Sequence, residues 1–97
     1  MTVAASQAVL DLSAKSLPAL ARFAASVPGF TFAQLVVIAG RLDRQRERTR
    51  RAQDDAAQLG EAMGEDFHAS LADLDTQLAA MLELVGAEME RRLAARA

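Results

Sequence analysis

Downstream of Pro28 the chain contains no proline, and residues 32 to 95 are dominated by Ala, Leu, Arg, Gln, Glu and Met. Proline is the residue that most reliably ends a helix, and these six are among the best helix formers. The stretch must therefore be helical almost throughout. Unbroken, it would be about 96 Å long at 1.5 Å per residue. Only Gly60 and Gly64, in "QLGEAMGED", offer an interruption. A turn there gives arms of similar length, 32–59 and 66–95, as an antiparallel helical hairpin needs. Glu61, Ala62 and Met63 are helix formers, however, and no Asn, Pro or Ser supports the turn. The sequence leaves both the hairpin and the single long helix standing.

The start of this region is sharply specified. Thr31 and Gln34 form a T-x-x-Q capping box, and Phe30 and Leu35 are spaced as a hydrophobic staple. The helix is expected to begin at Phe32, after a turn at "VPGF". Before that turn, Asp11, Lys15 and Arg22 fall on a narrow polar stripe, with Val3, Val9, Leu10, Leu12, Leu17, Leu20, Phe23 and Val27 around much of the remaining circumference. A helix with so thin a polar face must be covered on several sides. Pro18 would cost about 3 kcal/mol inside a continuous helix. With Ser16 as a new N-cap it falls harmlessly in a first turn. Residues 3–26 are thus expected to form two short helices or one kinked helix, covering the Phe32 to Leu42 face.

The C-terminal arm carries the clearest periodicity. Phe67, Leu71, Leu74, Leu78, Met81 and Val85 alternate steps of four and three, and Met89 and Leu93 follow at steps of four. That is a coiled-coil-like seam whose phase shifts near its end. Ala52, Ala56, Leu59 and Met63 continue the stripe upstream with smaller side chains. Between Leu42 and Ala52 it fails, because only Gln45, Arg46 and Thr49 could occupy it.

Composition sets the class. A hydrophobic fraction of 52% argues against a disordered chain, and 4% aromatics with five Gly and two Pro argue against an all-β domain. The expectation is one small all-α domain over residues 1–97, divided into an apolar segment (1–30) and a long helix or hairpin (31–97). With no cysteine there is no disulfide or thiolate chemistry, which fits a reducing compartment. No basic residue precedes Lys15, so the basic region of a secretory signal is missing. Arg22, Ser26, Pro28, Thr31 and Gln34 interrupt the apolar run of residues 17–40, which argues against a transmembrane helix. A cytoplasmic location is expected.

"RLDRQRERTRR" then sets six arginines, Arg41, Arg44, Arg46, Arg48, Arg50 and Arg51, beside only Asp43 and Glu47. On a helix Arg50 would meet Asp54 and Arg51 would meet Asp55 at i,i+4, while Glu47 neighbours Arg44, Arg50 and Arg51. The excess of +4 could contact an anionic partner, either nucleic-acid phosphate or membrane head groups. Against nucleic acid stand the net charge of −2 and the lack of interleaved aromatics for base stacking. "TFAQLVVIAGRLDR" resembles the first helix of a helix-turn-helix, but no turn and second amphipathic helix follow. A solvated, self-paired helix flank is the favoured reading.

Other chemistry is sparse. Glu65 and His68 have the Glu-x-x-His spacing of di-iron helices. His68 adjoins seam residue Phe67, so a flank histidine is favoured over a ligand, and no metal or cofactor is expected. Gly60 and Gly64 have small-xxx-small spacing, which points to a kink or turn in a soluble helix. With one histidine, no cysteine and no phosphate loop, catalysis is not expected. The sequence therefore favours a non-enzymatic helical module that self-associates, or packs on a larger partner, through the Phe67–Leu93 seam. A peripheral membrane or lipid-granule protein using residues 17–42 with Arg41–Arg51 is the first alternative. A nucleic-acid-binding protein using the same arginines is the second.

Overall fold

The computed structural model describes residues 17–96, apart from the side chains of Leu17, Glu61 and Met63. Expectations for residues 3–16, including the first of two short helices, the Ser16 cap and most of the polar stripe, lie outside the described residues. Three α-helices make up nearly all of the rest: α1 (Leu17–Ser26), α2 (Phe32–Leu59) and α3 (Glu65–Arg96). Two short 3-10 segments, Val27–Gly29 and Gly60–Met63, join them. The fold is all-α, and among the described residues it contains no strand.

Each boundary has a local cause. Pro18 is the second described residue of α1, and the residues before Leu17 that would define the helix start lie outside the described ones. The turn closes with Phe30 N–H donating to the Val27 carbonyl at 3.2 Å. At Thr31 the reciprocal cap is complete. Gln34 N–H donates to Thr31 Oγ1 at 3.1 Å, and Thr31 N–H donates to Gln34 Oε1 at 2.8 Å. Phe30 packs on the cluster that holds the fully buried Leu35, which completes the staple.

The chain reverses at the two glycines. Gly60 has φ 61° and ψ −133°, and Gly64 has φ 78°, regions in which a Cβ is strained. The ambiguity between long helix and hairpin thus resolves to the hairpin. His68 ties the reversal down, with its Nε2 3.0 Å from the Gly60 carbonyl oxygen. Glu65 and Asp66 occupy the first turn of α3, where the helix dipole favours negative charge.

The two long helices pack on a heptad register. Leu35, Leu42, Thr49 and Ala56, each seven residues apart, are buried on α2. Leu35 and Leu42 share a core with Leu78 and Val85, also seven apart, on α3. Thr49 fills the polar gap in the α2 stripe, its hydroxyl satisfied by donating to the Gln45 carbonyl at 2.9 Å. Arg46 crosses the same gap, its Nε donating to Asp75 Oδ1 at 3.1 Å.

The helix α1 lies against α3 more than against α2. Leu20 packs on Ala80, Met81 and Leu84, and the small Ala80 allows the helices to approach. Phe23 and Val27 reach the core shared with Leu35 and Leu42. Of the Phe32 to Leu42 face, Leu35, Ile38, Ala39 and Leu42 pack with Phe23 and Val27, while Val36 and Val37 are 49% and 54% exposed; the part of the expected cover that falls on residues 3–16 lies outside the described residues. The described part of α1, ten residues or about 15 Å, packs on the end of the hairpin where Leu20, Phe23 and Val27 meet α3 and α2, in a molecule of 52 × 24 × 19 Å.

That covered end is closed by charge. Glu88, nearly buried, accepts from Arg91 (Nη2 at 2.6 Å) and lies 3.5 Å from Arg92 Nε. Arg92 also donates to the Pro28 carbonyl at 3.1 Å, which links the end of α3 to the α1–α2 turn. Nearby, the Arg96 guanidinium stands 5.9 Å from the centre of the Phe32 ring. The hydrogen bond from Arg91 outweighs burial and, with both arginine charges, holds the Glu88 carboxyl below its ordinary value.

Two outcomes test this account. Leu35→Ala should cost about 2–5 kcal/mol in urea unfolding, because a fully buried side chain at the staple leaves a cavity. Glu88→Gln should lower the thermal midpoint at pH 7. Its folded pKa lies below the unfolded one, so the contribution is complete above the ordinary carboxylate range and is lost as pH falls through the folded value. The gap between variant and parent should therefore close in acid.

Candidate interaction surface

The hairpin sorts the Phe67–Leu93 seam into two parts. Leu78 and Val85 are buried against α2, and Met81 and Met89 pack on the same core from partly buried positions. These central residues serve the chain's own hairpin, which corrects the expectation that the whole seam faces a partner. Phe67, Leu74 and Leu93 stand 41%, 43% and 52% exposed, and Leu71 is half-buried. Leu74 borders a hollow on α2 with Gln45, Arg48 and Thr49, where α2 presents no leucine. In the upstream stripe Ala56 is buried, Ala52 is half-buried and Leu59 is 58% exposed at the turn.

The arginine stretch wraps around α2 and divides into three groups. Arg46 and Arg50 project to the flank where Asp75 of α3 stands, at 3.1 and 3.8 Å. Arg51 pairs with Glu47 at 3.0 Å, in the open. Of the expected i,i+4 contacts, those to Asp54 and Asp55 do not form. Arg50 faces the partner helix, where Asp75 already anchors Arg46, and Arg51 turns back one helical turn to Glu47. Arg41, Arg44 and Arg48 form the third group. They are exposed and have no ion-pair partner among the described residues.

These three arginines border a depression. Arg41, Arg44 and Arg48 rim a notch of about 500 Å³ whose apolar wall is Phe23, Ile38, Leu42 and Met81. A second hollow of about 300 Å³ shares Ile38 and Arg41 with it and continues along Phe30, Ala33 and Val37. A third of about 200 Å³ shares Gln45 and Arg48 and ends on Leu74. One shallow groove thus runs along a broad side of the molecule, from the α1–α2 turn to the exposed part of the seam. Its walls are apolar and its rim is cationic. Sequence reasoning marked Arg41 and Leu74 separately; their shared side depends on the hairpin register, which the sequence left open.

Glu65 and His68 are not brought together with further ligands. His68 is engaged with the Gly60 carbonyl, and no group of three or more His, Asp or Glu side chains is placed to hold a metal among the described residues. Among those residues, too, no helix is long and apolar enough to cross a membrane. No protein-family model, no curated protein and no solved structure matches the chain.

Proposed function

We propose that the chain is a non-enzymatic helical interaction module that self-associates or packs on a larger partner as an assembly subunit. One observation carries the reading: among the described residues α1 packs on one end of the hairpin, and Phe67, Leu74 and Leu59 stand 41–58% exposed. Large apolar side chains grouped on a small domain are a common mark of a contact surface. The ion pairs Arg46–Asp75 and Arg51–Glu47 fit scaffolding, since they stiffen helices without recognising anything outside.

A second reading has its own support. Val36 and Val37 are about half exposed and lie one to three turns ahead of Arg41, Arg44 and Arg48 on α2. That pattern suits peripheral contact with anionic lipid. Such binding would require anionic head groups and would weaken with salt.

Absolute mass by light scattering after size exclusion tests the first reading, at low and high salt. A discrete oligomer at both is expected. Leu74→Asp should dissociate it while leaving helicity and the thermal midpoint within a few degrees of the parent, because Leu74 is already 43% exposed. Leu78→Asp is a poor probe of assembly: it buries a charge inside the monomer and should unfold it. A parent that is monomeric at both salts and binds no other protein would exclude the module reading.

A further inference from the structure

The groove rimmed by Arg41, Arg44 and Arg48 and the exposed Phe67–Leu74 ridge lie along one broad side and adjoin at Leu74. We propose that this side is a self-docking surface, on which a second copy lies antiparallel so that each groove receives the other's ridge. The inference rests on the assembly reading above and names its surface and partner.

Charge complementarity carries it first. Three exposed cations without ion-pair partners among the described residues border the groove. On α3, Asp66 and Asp73 each immediately precede a ridge residue, Phe67 and Leu74, and are exposed. At 100° per residue both acids edge the flank of α3 that carries Ser70, Leu74 and Gln77, away from the Asp75 flank that holds Arg46 and Arg50. The ridge thus offers an apolar strip with an acidic border, and the groove an apolar wall with a basic rim. Each lacks what the other supplies.

Geometry carries it second. The 500 Å³ and 200 Å³ hollows share Gln45 and Arg48, and the smaller one ends on Leu74, so groove and ridge are continuous. A two-fold rotation perpendicular to that side exchanges its ends. It brings both groove–ridge contacts into register at once, which closes a dimer and leaves no unsatisfied copy of either. The broad side measures 52 × 24 Å, more than the about 800 Å² per partner that a standard stable interface buries.

Other occupants fit less well. Residues 1–16 carry a single carboxylate, Asp11, alongside Lys15, and so cannot answer three arginines. A membrane is flat and would meet a recessed groove poorly. For single-stranded nucleic acid, the aromatic walls Phe23 and Phe30 are half-buried in the core and are not free stacking platforms.

The test is a charge swap on the full chain. One variant carries Arg41→Glu and Arg48→Glu, the other Asp66→Arg and Asp73→Arg; all four sites are exposed, and circular dichroism checks the fold. Each variant alone should dissociate about tenfold or more readily than the parent, and an equimolar mixture should recover a dimer of parent-like affinity. That recovery is the result expected only if the two patches meet. A parent oligomer that Leu74→Asp breaks, but that ignores both charge reversals, would overturn this surface and leave the assembly reading intact. A monomeric parent would overturn both. Vesicles of phosphatidylglycerol and a single-stranded oligonucleotide, bound by the parent and lost with Arg41→Glu and Arg48→Glu, would then identify the occupant of the groove as lipid or nucleic acid.

Discussion

Reversal of the chain at Gly60 and Gly64 sets the register in which everything else packs. With φ at 61° and 78°, both residues use backbone that side chains with a Cβ avoid. The reversal brings Leu35 and Leu42 opposite Leu78 and Val85, and one turn further along it brings Arg46 opposite Asp75. A slip of the register by one helical turn would separate that ion pair. Hydrophobic contact alone distinguishes such registers poorly, because leucines on helices are nearly interchangeable. The polar interruption in the α2 stripe supplies the discrimination: a buried threonine that satisfies itself on Gln45, and an arginine with one partner within reach.

The covered end shows how little a third helix needs in order to dock. Leu20 meets Ala80, a residue whose small size permits close approach, while Phe23 and Val27 extend into the hairpin core. Arg92 then joins the end of α3 to the α1–α2 turn, since it contacts Glu88 beside it and the Pro28 carbonyl across the turn. Because Glu88 is nearly buried, its charge depends on Arg91 and Arg92 remaining in place. The same carboxylate would be a liability if either arginine were lost.

Local features of the fold were legible in the sequence, because their causes are local. Thr31, Gln34, Phe30 and Leu35 announce a helix start by residue type and spacing alone, and the bonds form as the motif requires. The α2–α3 boundary was half legible: the glycines marked it, while Glu61–Met63 argued for continuation. Those residues do remain helical, in the tighter 3-10 form, so both signals were right about their own residues. Long-range features were not legible. Nothing in "RRAQDD" indicates that Arg50 prefers Asp75, twenty-five positions away, over Asp54 at i,i+4. The heptad Leu35–Leu42–Thr49–Ala56 was readable as a spacing, but Thr49 and Ala56 do not look like core residues until a partner helix faces them.

Division of the arginines follows from the same geometry. Six cations spread over about three turns must point in several directions, and only those on the α3 flank or beside Glu47 find a carboxylate. Exposed arginines with no ion-pair partner cost little in water, so folding alone does not explain why Arg41, Arg44 and Arg48 cluster where the wall turns apolar. A cation beside an apolar hollow becomes informative when the hollow is filled: water leaves, the local dielectric falls, and an opposing carboxylate gains while a like charge is rejected. On such a surface, burial of Phe67 and Leu74 would supply most of the affinity. The arginines and aspartates would choose the orientation. An antiparallel pair satisfies all of them, whereas a parallel pair would set arginine against arginine. In this reading the exposed Phe67 and Leu74 determine where another chain can bind, and Arg41, Arg44 and Arg48 determine which way round it lies.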